Sequence, residues 1–182
     1  MKTLIIHPQD RTTDFLSPIY ADLKDKTVIK GGIGKTDLRE LIESHDRVIM
    51  LGHGCPYGLL TSGQFEGAGL LIVDESMVPA LKYKSNCIFI WCYADQFLKE
   101  YGLSGLCSGM FISEVGEAYI NGHVDIDRDL VEQSNKMFAT IVSKNINKSL
   151  DSLYPRLLQE YEVLAKTNSI ARFNLDRLYY TV

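Results

Sequence analysis

Val48-Ile49-Met50-Leu51-Gly52-His53-Gly54 and its echo Cys87-Ile88-Phe89-Ile90-Trp91-Cys92 decide how the rest of this chain reads. Each is a short apolar run that ends at a reactive side chain. Runs of that length bounded by turn formers read as buried strands of a parallel sheet. A residue just past the C-terminal end of such a strand sits on the rim where open α/β sheets bind ligands. His53 and Cys92 are therefore expected at one edge, on strands that can be neighbours. Cys92 lies 39 positions after His53, a separation that suits a single crossover with a loop and a helix. A thiol beside an imidazole is a nucleophile with its base. Gly54 turns the backbone tightly and leaves its N–H uncovered, so it is a candidate donor to an oxyanion, with the N–H of Cys92 as the second. The helix expected from Ala94 would present its positive end to Cys92 and lower the thiol pKa.

Outward from these two strands, the chain alternates strand and helix. Thr3 to Ile6 reads as the first strand, and Asp10 to Asp14 as polar loop. Phe15, Leu16, Ile19, Tyr20 and Leu23 then follow at helical spacing. A strand at Thr27–Ile29 is followed by a glycine turn and a helix bearing Leu38, Leu41 and Ile42. Cys55 to Gly69 reads as a loop or loose hairpin, Leu70–Val73 as a small strand and Ser76–Tyr83 as a helix. Beyond Cys92 come a helix from Ala94 to Tyr101, a strand at Leu106–Ser113 and a helix at Asp127–Lys144. A helix from Leu150 to Ala165, interrupted or restarted near Pro155, follows. The pattern predicts an α/β fold with a mostly parallel central sheet and helices on both faces. No repeat, linker or low-complexity stretch divides it, so residues 1–182 read as a single domain.

Net charge is −4, which favours neither nucleic acid nor an anionic membrane as partner. No apolar run approaches the roughly 20 residues needed to span a bilayer. The first residues hold too short an apolar region for a signal peptide and read as a strand instead. Cys55, Cys87, Cys92 and Cys107 form no CxxC pair, which points to reduced thiols in a cytoplasmic protein rather than a disulfide or zinc framework.

An apolar block ending in His53-Gly54, a spacer, and a second block ending in Cys92 resembles the caspase-like peptidases, a group that includes caspases, gingipains, clostripain-like and CHAT-domain proteins. The likeness runs from about Arg47 to Tyr101. Its order of His-Gly, a glycine-rich stretch with Gly58-Leu59-Leu60, the Ser76–Tyr83 helix and the second block is similar to CHAT domains. The resemblance implies a three-layer α/β sandwich and a cysteine endopeptidase acting on a peptide or protein substrate, with no metal and no cofactor. His53 would be general base and acid, Cys92 the nucleophile and Gly54 the oxyanion donor. Trp91 stands where the group usually carries a small residue, and puts a bulky ring beside the pocket. The Gln-Ala-Cys-x-Gly pattern of caspases is absent, and Cys92 is followed by Tyr93-Ala94-Asp95. Asp95 and Glu114 are the carboxylates singled out for substrate binding, where an acidic pocket would favour a basic side chain. Cys55, two residues after His53, is a competing thiol.

Two other readings compete. One is a catalytically silent caspase-like module that binds a partner through the same cleft. The other is nucleotide binding through Lys30-Gly31-Gly32-Ile33-Gly34-Lys35-Thr36, which lies between a strand and a helix as a phosphate loop does. That turn looks like the deviant Walker A loop of ParA/MinD ATPases, with Leu70–Glu75 as a stand-in for a Walker B strand. Against it, the full GxxxxGK[ST] pattern fails at Ile29, and a complete strand and helix precede the turn. His7 and His123 read as loop histidines without a partner, and His45 as an exposed residue at a helix end.

Overall fold

The computed structural model describes residues 1–65, 67–124 and 126–182; Glu66, inside the expected 55–69 loop, lies outside them. The first strand, β1 (Thr3–Ile6), is buried at every position, as a central strand must be. The helical pattern that follows breaks at Pro18 into a 3-10 turn at Asp14–Leu16 and a short α1 (Pro18–Ala21). Proline fits a first helical turn but cannot continue one. β2 (Lys26–Ile29) leads through the glycine turn to α2 (Lys35–Ser44) and then β3 (Arg47–Leu51).

After His53 the chain makes a small antiparallel sheet of β4 (Gly54–Cys55), β5 (Gly58–Leu60) and β6 (Leu71–Val73). A 3-10 turn and α3 (Val78–Leu81) follow, entered by the Asp74 carboxylate, which accepts from the Ser76 N–H at 3.0 Å. β7 (Ile88–Ile90) ends just short of Cys92, and α4 (Ala94–Tyr101) stops at Gly102, as its sequence indicated.

The last third departs from expectation. β8 covers only Gly105–Ser108, because past it Gly109 O accepts from the Tyr93 N–H and the facing Arg177 N–H bonds Asn174 O, leaving the rung half made. α5 (Val115–Ile120) was not foreseen; Glu114 and Glu117 build a capping box at its start. α6 (Arg128–Asn145) precedes α7 (Leu150–Ala165), which runs unbroken through Pro155. That proline is the sixth helical residue, and it forgoes the bond its N–H would have given Asp151 O. α8 (Ser169–Leu175) and β9 (Leu178–Thr181) complete the chain.

The main sheet has six strands in the order β2-β1-β3-β7-β8-β9. All neighbours are parallel except β9, which runs antiparallel along β8. Alternate residues feed two cores, one on each face. Ile5, Ile49, Ile90 and Leu106 pack with side chains of α1, α6 and α7. Leu4, Met50, Phe89 and Trp91 pack with side chains of α2, α3 and α4 and with the small sheet. No helix among the described residues is long and apolar enough to cross a membrane.

Candidate functional site

β3 and β7 are hydrogen-bonded neighbours, and their ladder pairs Leu51 with Ile90. The same register carried two residues further sets His53 opposite Cys92, and the Gly52 N–H still donates to Ile90 O at 3.0 Å. Both residues line one small cavity of about 20 Å3, together with Thr13, Phe15, Leu16, Phe111 and Ser113. That space holds about one water molecule. Phe15 and Phe111 stack over it with ring centroids 6.4 Å apart.

Cys92 is held firmly. Ser108 Oγ donates to Trp91 O at 2.9 Å, and the Tyr93 N–H donates to Gly109 O at 3.1 Å, so the turn is tied to the end of β8. Tyr93 itself adopts a left-handed conformation with φ 67°. A non-glycine residue there costs on the order of 1–3 kcal/mol, strain that surrounding contacts must hold in place. The Cys92 thiol donates to Phe111 O at 3.7 Å. Burial pushes its pKa up to about 11, reinforced by the Glu117 carboxylate. This corrects the expectation that α4 would lower it: desolvation outweighs the helix terminus, and the resting group is a neutral thiol.

His53 finds its partner in the loop after β1. Its Nε2 lies 2.5 Å from Thr12 Oγ1. Thr12 also gives its hydroxyl proton to Asp10 Oδ1 at 2.7 Å and its backbone N–H to the same oxygen at 2.9 Å. Those two bonds hold the Asp10 carboxyl below the usual carboxylate range. Neither Asp10 nor Thr12 was singled out in the sequence. The available signal was position, since this polar loop directly follows β1, the neighbour of β3 on the same rim.

Gly54 opens β4. Leu60 N–H bonds His53 O at 2.9 Å, so by the alternation of an antiparallel ladder the next pair, Gly54 with Leu59, is a non-hydrogen-bonded one. Its N–H therefore turns away from β5. Glycine is required here on packing grounds too, because a Cβ would lie 2.1 Å from Trp91 Cδ1. Trp91 does not crowd the thiol. Its ring points to the opposite face of the sheet from Cys92, packs on Phe89 and Phe97, and donates its Nε1–H to Cys55 O at 3.2 Å. Cys55 thereby belongs to the hairpin that Trp91 braces.

The two carboxylates singled out for substrate binding lie apart. Asp95 lines a groove with Leu98, Cys107 and Tyr179 rather than the His53–Cys92 cavity, and burial raises its pKa. Glu114 lines an open cleft of about 650 Å3 that shares Phe15 and Ser113 with the small cavity. That cleft also holds Arg11, Arg128, Glu132 and the buried Asn135, so its charge is mixed rather than acidic.

The Lys30–Thr36 turn sits on the same rim, two strands from β3. Gly32 N–H bonds Gln64 O, and a Cβ on Gly31 would lie 2.7 Å from that same oxygen. Lys35 forms an ion pair with Asp74, at the end of a strand that belongs to the small sheet and not the main one. Two histidines also differ from expectation. His7 is buried and bonds Tyr20 OH at 3.0 Å and Thr13 Oγ1 at 3.3 Å. His45 is buried against Thr27 Oγ1 at 2.8 Å and Leu41 O at 2.7 Å. Set against models of known families, curated proteins and solved structures, the chain matches none of them.

Proposed function

We propose that this chain is a cysteine endopeptidase of caspase-like, three-layer architecture that hydrolyses a peptide or protein substrate, in a cytoplasmic setting. The observation that carries the reading is that His53 and Cys92 lie just past the ends of paired parallel strands and line one cavity at the sheet's C-terminal edge. In the proposed cycle His53 takes the thiol proton as the sulfur bonds the scissile carbonyl carbon. The oxyanion faces the N–H groups of Gly54 and Cys92. The C–N bond then breaks, and the amine leaves with the proton held by His53. Water, deprotonated by the same ring, hydrolyses the thioester, releases the acid and restores the thiol. The mixed-charge cleft beside Ser113 is the space into which the substrate chain would extend.

A digest of a proteome-derived peptide library, read by mass spectrometry, tests this. New termini should appear with the wild type and be missing with Cys92→Ala. Cleavage that survives Cys92→Ala removes the proposal. The narrow 20 Å3 cavity and the protonated thiol favour a second reading, a silent module of the same architecture that binds its partner across the rim. An uncut library, together with a Cys92→Ala protein of unchanged behaviour in cells, favours that one.

A further inference from the structure

The structure holds a polar chain that the proposed hydrolysis does not by itself require. Asp10 Oδ1, Thr12 Oγ1 and His53 Nε2 follow one another at 2.7 Å and 2.5 Å. A threonine hydroxyl has one proton and accepts through its lone pairs. With that proton given to Asp10, the oxygen can only accept from the ring, so Nε2 must carry hydrogen. We propose that Asp10 and Thr12 are positioning residues that fix His53 as its Nε2–H tautomer, leaving Nδ1 as the nitrogen that takes the Cys92 proton. The purpose of this relay rests on the endopeptidase reading, but its geometry does not.

The loop is built to hold that wiring. Gln9 N–H bonds Lys30 O at 3.1 Å, and Thr13 donates both its N–H and its hydroxyl to Asp10 O at 3.2 Å. Asp10 and Thr12 are both half-buried, which limits the water that competes for the ring. The arrangement also has an electrostatic consequence. When Nδ1 accepts a proton the ring becomes a cation, and the Asp10 carboxylate, one hydroxyl away, stabilises it. The thiol proton moves to Nδ1, the Nε2–H stays in place, and Asp10 remains ionised throughout.

Nitrogen-15 NMR of histidine-labelled protein tests the assignment directly, with the His53 signals identified by their loss in His53→Gln. The expected result is an Nε2–H tautomer in the wild type and in Thr12→Ser, and a tautomer mixture in Thr12→Val. Asp10→Asn should also give a tautomer mixture, because an amide can donate to Thr12 Oγ1 as well as accept from it. Turnover should fall by roughly 10- to 100-fold in Thr12→Val and recover in Thr12→Ser, the size of loss seen when an outer hydrogen-bond partner of a functional histidine is removed. An Nδ1–H tautomer in the wild type, or an unmixed Nε2–H tautomer in both Thr12→Val and Asp10→Asn, overturns the relay. The expected tautomer in a protein that cuts nothing leaves the relay standing and removes the endopeptidase instead.

Discussion

The ends of β1 and β3 make an instructive pair. Each strand of this parallel sheet runs into a histidine on the same rim, His7 after Ile6 and His53 after Leu51. Each ring bonds a threonine of the same short loop, Thr13 for His7 and Thr12 for His53. There the likeness ends. His7 is 2 % exposed and has both nitrogens engaged, by Tyr20 and Thr13. Burial, with Lys30 nearby, drives its pKa down to about 4. His53 has one nitrogen backed by a carboxylate through Thr12 and shares a cavity with a thiol. A histidine on a sheet rim thus gains a chemical role from what backs it and what it faces, not from its place on a strand.

Activity offers the widest gap between the two. In the library digest, His53→Ala should lower cleavage by about 10^3-fold or more, in line with loss of a general base, while His7→Gln leaves cleavage per folded molecule unchanged. Equal losses would break the distinction. Stability should separate them in the other direction. The folded-state pKa of His7 lies below the ordinary value of 6.5, so the unfolded chain takes up the proton first as pH falls. The contribution is complete above about pH 6.5 and is lost towards pH 4, by up to about 3 kcal/mol. Urea unfolding at pH 7.5 and 4.5 checks this: His7→Gln should flatten the fall, and a curve unchanged by that substitution would refute it.

The smallest effect concerns the partner of His53. With its thiol pKa at about 11, Cys92 in the resting protein should react with iodoacetamide slowly at neutral pH, gaining about tenfold per pH unit from 8 to 10. Rapid labelling of Cys92 at pH 6 would mean that a thiolate is already paired with His53 at rest. The role of burial in both groups would then need revision.

Much of the sheet was legible because apolar runs report burial directly. Val48–Leu51 and Ile88–Ile90 are strands where their patterns placed them, and their pairing brings His53 and Cys92 to one rim. Local pattern fails where long-range bonds decide. β8 ends at Ser108 because the next rung is only half made: Gly109 N–H still bonds Arg177 O, but Gly109 O accepts from Tyr93 and the Arg177 N–H turns to Asn174 O. β9 exists only because β8 offers it an edge. Asp10 and Thr12 read as an ordinary polar loop, since nothing local shows that a histidine 41 residues away will meet them. The neutral thiol was equally hidden: helix position is visible in sequence, whereas the covering rings of Phe15 and Phe111 are not.

The indole of Trp91 lying flush on Gly54 has a consequence for how this sequence can drift. Residue 54 has no room for a methyl group while residue 91 keeps its ring, and a smaller residue at 91 would strip Cys55 O of its donor. The two positions are therefore bound to change together. In any set of divergent copies, an alanine at 54 should coincide with a slimmer side chain at 91.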